Sequence, residues 1–502
     1  MSESSTNKTG FFGHPAGLST LFFTEMWERF SYYGMRAILI LFMTTDVAQE
    51  GLGLTSETAG AVYGMYTAGV YLLTLPGGWL ADNIFGQRKA IYYGGILIMI
   101  GHLILAIPGS PPIFFAGLAF VAMGTGLLKP NISTIVGDLY PGKGAHRDAG
   151  FSLFYMGINL GSLLGQTIVA YLGEKINWHL GFGMAAIGMF AGLVQYRLTA
   201  DRTLGNIGVQ PKAKLKREEE GSTGESNSML GIVFAALLIG LILVLQFTGV
   251  IDLTTAKGIA QAVGVIIVSV TLVYFAFILI AGGLNTDEKK RVVVIFFLFI
   301  GAALFWSGFE QAGSTLNLFA ANNTNLNFLG WEMPAGWLQN VNPLFIIIFA
   351  PVIGALWIKL SARQMNPSTP LKFGLGLIMM GLGFLVMFYA AKIVADGTKA
   401  NMLWLVLTYF LHSIGELTLS PVGLSATTKL APRQYMGQMM GIWFVGASLG
   451  NLIAGLFSGE FDQNNVSAFP DLFMSVVMLG LGAGIIFIIT SPLLKKWMGD
   501  VQ

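Results

Sequence analysis

Seven ionisable residues lie inside long apolar stretches of the sequence, and their types and positions make them the best candidates for chemistry. They are Glu25, Glu28, Arg29, Arg36, Lys129, Glu310 and Glu416. Each such group costs about 2.5–3.5 kcal/mol at the centre of a membrane helix, so these residues must pair with one another or face a wet cavity. We expect a polar interior that handles charge. The alternative is a static network of salt bridges that fixes helix packing.

The balance of these charges indicates a proton carrier. Four carboxylates face three cations, so at least one carboxylate lacks a permanent partner. Burial favours the neutral form of a carboxylate and a neighbouring cation favours the ionised form, so a carboxylate that exchanges partners can gain and lose a proton. At 100° per residue, Glu25, Glu28, Arg29, Tyr32 and Arg36 fall within about 100° of arc, which makes one face of the first helix polar and aromatic.

These residues need helices in a bilayer to position them. The chain of 502 residues is 54% hydrophobic and 11% charged, whereas a soluble domain is about 25% charged. Its apolar runs are continuous over about 18 residues or more, which favours helical spans over a β-barrel. We predict an all-α membrane protein with fourteen transmembrane helices, near 18–45, 56–81, 90–108, 112–137, 149–173, 179–198, 229–247, 257–283, 292–320, 338–360, 370–393, 401–427, 436–458 and 468–494.

The order of spans and polar segments predicts two halves. The predicted segments are a cytoplasmic N-terminus over 1–17, a six-helix bundle over 18–198, a cytoplasmic linker over 199–228, two inserted helices over 229–283, a second six-helix bundle over 292–494 and a cytoplasmic tail over 495–502. Outside the spans, all lysines and arginines fall on one side except Lys175, Lys257, Lys392 and Lys399. The positive-inside rule therefore places both termini in the cytoplasm, for a multi-pass plasma membrane protein (the inner membrane in bacteria).

Composition and missing motifs argue against several other classes. A net charge of +2 offers no excess of positive charge for nucleic acid, and the absence of cysteine excludes disulfides, thiol catalysis and cysteine-ligated metals. We find no P-loop and no zinc-protease motif, so we expect no enzyme and no cofactor, with an ion gradient as the energy source. A channel remains the alternative of a different class.

Several motifs carry a family resemblance. Residues 25–34 read EMWERFSYYG, which resembles the ExxERFxYYG signature of proton-dependent oligopeptide transporters, a branch of the major facilitator superfamily. Further matching motifs are GTGLLKPNISTIVGDLY (124–140), FYMGINLGS (154–162), the run from Phe305 to Gln311, QNVNPLF (339–345) and GELTLSPVGLS (415–425). The resemblance runs from about residue 15 to 495, nearly the whole chain.

The resemblance implies a fold and a function. The fold would be two six-helix bundles around a central cavity with two helices inserted between them, which agrees with the fourteen predicted spans. The function would be proton-driven uptake of di- and tripeptides by alternating access. A relative that carries another small anion, such as nitrate, or a drug-like solute is the alternative among transporters. The intact ExxER motif favours peptides.

The resemblance also implies roles for the buried charges. Glu25, Glu28, Arg29 and Glu310 would couple protons to transport, and Glu310 would form a gating pair with Arg36. Members of the family in some cases place a histidine in the second span, but this chain has no histidine within 56–81. Proton coupling would then depend on carboxylates alone. His412, four residues before Glu416, either faces the cavity or packs between helices.

The substrate residues follow from the same motifs. Arg36 and Lys129 would attract the peptide carboxylate, and Glu416 with Asn159 and Asn342 would hold the peptide amino group. The charges fit this assignment independently, because a zwitterionic peptide needs a cationic and an anionic pole, and the two predicted bundles supply one each. The residues implied for side-chain pockets are Tyr32, Tyr33, Tyr71, Trp306 and Trp443.

The loop from Gly78 to Lys89 resembles the cytoplasmic motif that follows the second span in the superfamily. By this resemblance Asp82, Arg88 and Lys89 would lock the cytoplasmic ends of helices. We therefore assign these three residues to gating and not to substrate binding.

Overall fold

The computed structural model describes residues 9–140, 145–211 and 228–499, and α-helices dominate it. The helices are α1 (Ala16–Thr44), α2 (Ser56–Leu72), α3 (Thr74–Leu80), α4 (Gln87–Leu105), α5 (Pro111–Asp138), α6 (Ala145–Lys175), α7 (Trp178–Thr203), α8 (Ser228–Phe247), α9 (Ala256–Ala281), α10 (Thr286–Phe309), α11 (Thr315–Asn323), α12 (Val341–Ala362), α13 (Thr369–Ala395), α14 (Leu403–Leu430), α15 (Met436–Gly459) and α16 (Phe469–Met498). The predictions for 1–8, for 212–227 of the linker and for 500–502 lie outside the described residues.

Short strands occur only as two-residue or three-residue pairs within the described ranges. They are β1 (Thr9–Phe11), β2 (His14–Pro15), β3 (Thr324–Asn325), β4 (Asn327–Phe328), β5 (Trp331–Glu332) and β6 (Ala400–Asn401). The pairs β1–β2 and β4–β5 are antiparallel, and β3 pairs with β6 in parallel. β1 and β2 precede α1, and the other strands lie in segments between helices, so the fold is all-α as predicted.

The helices meet the requirements of a membrane bundle. Eleven helical stretches of the described chain are long and apolar enough to cross a bilayer. The predicted spans on α1, α2 and α8 are not among them: α1 carries Glu25, Glu28, Arg29 and Arg36 in its apolar length, and α2 has 17 residues. The lengths and composition of these helices agree with the predicted all-α membrane bundle.

Two predicted spans are interrupted helices. The span over 56–81 breaks at Leu73, and a π-helical turn over Ala81–Phe85 follows α3. Pro76 lies in the first turn of α3, where a proline is tolerated because the missing N–H has no intrahelical partner to lose. The span over 292–320 breaks at a 3₁₀ turn, Glu310–Gly313, between α10 and α11. Glu310 therefore lies at a helix break and not in mid-helix.

The described residues form two compact units. One contains 9–52, 69–140, 145–211 and 334–343, and the other contains 53–68, 228–333 and 344–499. The boundaries predicted from sequence differ from this grouping at 53–68 and 334–343. We refer to the two groups as unit 1 and unit 2.

Glycines on α6 bring α1 close in unit 1, where α1 packs against α6 and α7. A Cβ atom on Gly161 would lie 2.1 Å from the Met26 carbonyl oxygen, and one on Gly165 would lie 2.2 Å from that of Phe30. These distances are too short for any side chain, so the two backbones pack directly. This packing fixes the rotation of α1 and hence the direction of its charged face.

Glycines also explain why 53–68 packs within unit 2. A Cβ atom on Gly60 would lie 2.5 Å from the Gly455 carbonyl oxygen, and one on Gly64 would lie 2.9 Å from the Gly455 Cα. The Ser448 hydroxyl donates to the Ala68 carbonyl at 2.9 Å. The first part of α2 therefore lies directly against α15. Elsewhere in unit 2, α13 packs against α14 and α16, and α10 packs against α15 and α16.

A buried histidine anchors the residues before α1. The His14 Nδ1 atom lies 2.8 Å from the Tyr140 hydroxyl, and the His14 ring stacks on that of His146 at 4.4 Å between centroids. Burial and the neighbouring His146 lower the pKa of His14, and burial raises the pKa of Tyr140. The contact joins β2 to the end of α5 and the start of α6.

Candidate functional site

The charged face of α1 forms a buried three-residue cluster. Glu25, Glu28 and Arg29 are 2%, 0% and 2% exposed. The Arg29 Nε atom lies 3.2 Å from Glu25 Oε1 and also donates to Glu28 Oε2. Glu25 Oε2 and one terminal guanidinium nitrogen of Arg29 have no hydrogen-bond partner among the described residues. Two carboxylates thus share one guanidinium, so the cluster is negative when both are ionised and neutral when one holds a proton.

Two tyrosines extend this face along α1. The Arg29 guanidinium carbon lies 5.0 Å from the centroid of the Tyr32 ring and 5.7 Å from that of Tyr33. The Arg36 guanidinium carbon also lies 5.7 Å from the Tyr33 centroid. Such contacts attract a cation to the ring face. Tyr33 therefore has cation contacts with both Arg29 and the buried Arg36.

Lys129 approaches the cluster from α5. Its Nζ atom lies 4.3 Å from the centroid of the Tyr71 ring, and it is close enough to Glu25 for their charges to interact. Thr125, one helical turn earlier, donates from its hydroxyl to Glu28 Oε1 at 3.5 Å. Sequence reasoning missed Thr125. Its position four residues before Lys129 is the signal that identifies it, because residues four apart share a helix face.

The two predicted asparagines of unit 1 differ in environment. Asn159 is buried on α6, and its Nδ2 donates to the Tyr155 carbonyl of its own helix at 3.0 Å. Asn342 lies in the first turn of α12 and is half-buried. Their proposed contact with a peptide amino group remains a prediction.

Unit 2 holds the remaining predicted substrate and coupling residues. Glu310 is buried at the break between α10 and α11, and Glu416 is half-buried on α14. The Trp306 ring packs edge-on against that of Phe309 at 5.1 Å, and its indole Nε1 has no partner in the described chain.

Two other unit 2 residues pack in the helical core. Trp443 is buried, and its ring lies 6.2 Å from that of Phe373. A Cβ atom on Gly423 would lie 2.2 Å from the Trp443 ring, so the indole fills the space that this glycine leaves. His412 is also buried, with Nε2 3.2 Å from the Met380 carbonyl oxygen. Of the two interpretations of His412, the structure favours helix packing.

The predicted gating loop contacts α7. Arg88 forms an ion pair with Asp201, and its other terminal nitrogen donates to the Gly205 carbonyl at 2.8 Å. In the described ranges Arg88 therefore pairs with Asp201 and not with Asp82, while Lys89 is exposed. Gly86 has φ of +78°, and a Cβ atom there would lie 2.4 Å from the Val209 carbonyl oxygen, so the loop requires glycine at this point.

A carboxylate near the end of α6 is a second residue that sequence reasoning missed. Glu174, near the end of α6, accepts hydrogen bonds from the backbone N–H groups of Ala335 at 2.7 Å and Gly336 at 2.8 Å. The Trp337 indole donates to the Thr167 carbonyl at 2.9 Å. These bonds hold the 3₁₀ turn Ala335–Asn340 on α6, which explains why 334–343 groups with unit 1.

Together the fold and the buried charges define the class of protein. A bundle of apolar helices that keeps ionisable residues on inward faces and breaks helices beside them is typical of multi-span membrane transporters. The profile of the POT family matches residues 88–472.

The chain is similar to transporters over nearly its whole length. It is 43% identical to "Uncharacterized transporter YclF" of Bacillus subtilis (strain 168), over 99% of this chain and 98% of that protein. It is 39% identical to a "Di-/tripeptide transporter" of Lactococcus lactis subsp. cremoris, over 99% of each. A crystal structure of a peptide transporter POT in complex with sulfate superposes with a TM-score of 0.87 at 40% identity, over 99% of this chain and 98% of that one. The chain therefore belongs to the POT family, a family of transporters and not of enzymes.

Proposed function

We propose that this protein takes up di- and tripeptides together with protons by alternating access, in the plasma membrane (the bacterial inner membrane) with both termini in the cytoplasm. The observation that carries the proposal is the buried cluster in which Glu25 and Glu28 share Arg29. Such a cluster can hold or release one proton while its fold is maintained. The similarity to a di-/tripeptide transporter supports the choice of substrate.

The cluster supports coupling because of its charge count. With both carboxylates ionised it keeps one uncompensated negative charge among buried side chains, which is costly in a low-dielectric interior. A proton or a second cation removes that charge. Lys129 interacts electrostatically with Glu25. A peptide carboxylate that draws Lys129 away would remove a cation from beside Glu25 and so favour protonation of Glu25. Binding of peptide and binding of a proton are thereby coupled.

The distribution of charge between the units supports a zwitterionic substrate. Unit 1 supplies the cations Arg36 and Lys129, and unit 2 supplies the carboxylate of Glu416. In our proposal the two cations bind the peptide carboxylate, and Glu416 binds the amino group with Asn159 and Asn342. Ion pairs of this kind fix both the orientation and the length of a short peptide.

The proposal is tested by uptake of labelled di-alanine into proteoliposomes with an imposed pH gradient. We expect accumulation in the wild type that unlabelled tripeptide competes away, and loss of this uptake in Lys129→Ala. In Glu28→Gln we expect gradient-driven accumulation to fail while exchange of internal for external peptide persists. A matched control is Glu332→Gln, an exposed carboxylate on β5. Gradient-driven accumulation that survives in Glu28→Gln would refute the role of the cluster.

A further inference from the structure

A buried lysine in unit 2 lies against a tryptophan ring. Lys372 lies in the first turn of α13 and is 7% exposed. Its Nζ atom lies 4.5 Å from the centroid of the Trp357 ring on α12. Within the described residues no carboxylate forms an ion pair with it. Buried ammonium groups are normally paired, because removing the charge from water is costly.

A second lysine and a helix N-terminus lie near Lys372. Lys429, in the last turn of α14, is close enough to repel its ammonium group. The N-terminus of a helix also carries a partial positive charge, which disfavours a lysine in the first turn. Ser368 occupies the N-cap position but makes no capping bond, and its hydroxyl is 2.8 Å from that of Ser491.

The sequence makes this end of unit 2 basic. Residues 333–395, 417–459 and 472–499 contain no Asp or Glu. The start of α10, which lies at the same end, carries Asp287 and Glu288, but the three basic residues 289–291 follow them directly. Consecutive helices of an up-and-down bundle run in opposite directions. One membrane face therefore carries the end of α12, the start of α13 and the ends of α14 and α16. The further cations at these ends are Lys359, Arg363, Arg433, Lys495 and Lys496.

We propose that Lys372 and Lys429, with Trp357 and the uncapped start of α13, bind the phosphate group of an anionic phospholipid. Basic pockets between helix ends at a membrane surface recognise such head groups. Next to Trp357 on α12, Leu356 and Ile358 are 42% and 74% exposed, which provides apolar surface for an acyl chain. Free phosphate shares the headgroup chemistry but would not use this surface.

The test compares lipid retention by the purified full-length protein, using native mass spectrometry with added phosphatidylglycerol or phosphatidylcholine. We expect the wild type to retain phosphatidylglycerol in preference to phosphatidylcholine. Lys372→Gln should bind phosphatidylglycerol about five-fold more weakly, which is the effect of one basic residue near a lipid surface. Lys399→Gln, an exposed lysine outside this cluster, should bind like the wild type.

Equal retention by the wild type and Lys372→Gln would overturn the proposal. Inorganic phosphate serves as a second probe: if it displaces the lipid and is itself bound in a Lys372-dependent way, the site takes a free anion and the lipid assignment is wrong. Should Lys372→Gln fail to fold, Lys429→Gln provides the same comparison with the same expected loss. Lys372→Arg should retain binding because it keeps the charge.

Discussion

Removing Arg29 should destabilise the protein far more than neutralising one of its carboxylates. Arg29 is 2% exposed, and it is the cation that pairs with both Glu25 and Glu28. Arg29→Gln leaves two buried carboxylates without it, and removing one partner of a buried ion pair costs about 3–5 kcal/mol. Glu25→Gln keeps the pair with Glu28 and still offers an amide oxygen to Arg29 Nε, so its cost should be about 1 kcal/mol.

The assay is unfolding in mixed micelles followed by tryptophan fluorescence, with the free energy of unfolding compared between variants. The expected gap between Arg29→Gln and Glu25→Gln is about 2–4 kcal/mol. Arg202→Gln, an exposed arginine on α7, controls for loss of positive charge. The double variant Arg29→Gln/Glu28→Gln should recover much of the loss, because it removes one of the uncompensated charges. Equal destabilisation by the two single variants would refute the shared-guanidinium interpretation.

Three further predictions concern the surroundings of the site. Asp201→Asn should speed amide hydrogen exchange over 204–209, whereas Asp82→Asn should not, because Arg88 pairs with Asp201; the reverse order would contradict this assignment. Glu174→Gln should speed exchange at residues 335 and 336 roughly ten-fold or more, since a hydrogen bond to a charged group contributes about 1.5–3 kcal/mol; unchanged exchange would show that these bonds contribute little. The pKa of His14 is lowered in the folded protein, so the unfolded chain binds a proton at His14 first as the pH falls below about 6.5. The free energy of unfolding should therefore fall from pH 7 to pH 5, and His14→Phe should lose less of it over this range. If His14→Phe loses as much stability as the wild type over that pH range, His14 does not contribute to the pH dependence of stability.

Hydropathy was sufficient to predict the eleven helical stretches that are long and apolar enough to cross a bilayer, because such a span needs about 20 apolar residues. It could not predict where the spans break. Pro76 gave a local signal for the break at Leu73, but hydropathy gave none for the turn at Glu310–Gly313. Local backbone geometry at such points depends on packing that a single sequence does not display.

The charged face of α1 was predictable because it follows the helical period on one element. The partners on other elements were not. Asp201 is 113 residues from Arg88, and the N–H groups that bind Glu174 lie 161 and 162 residues further along the chain. Such contacts arise only when helices pack. The sequence can therefore indicate that a charged residue needs a partner, but only the fold shows which residue that partner is.

If peptide and proton move together, simultaneous measurement of both fluxes will show it. Wild-type proteoliposomes would hold a pH-sensitive dye, with no initial pH gradient, and di-alanine would be added outside. We expect acidification of the lumen that follows peptide entry in the wild type, and no acidification in Glu28→Gln. Peptide entry into wild-type vesicles without acidification would contradict it.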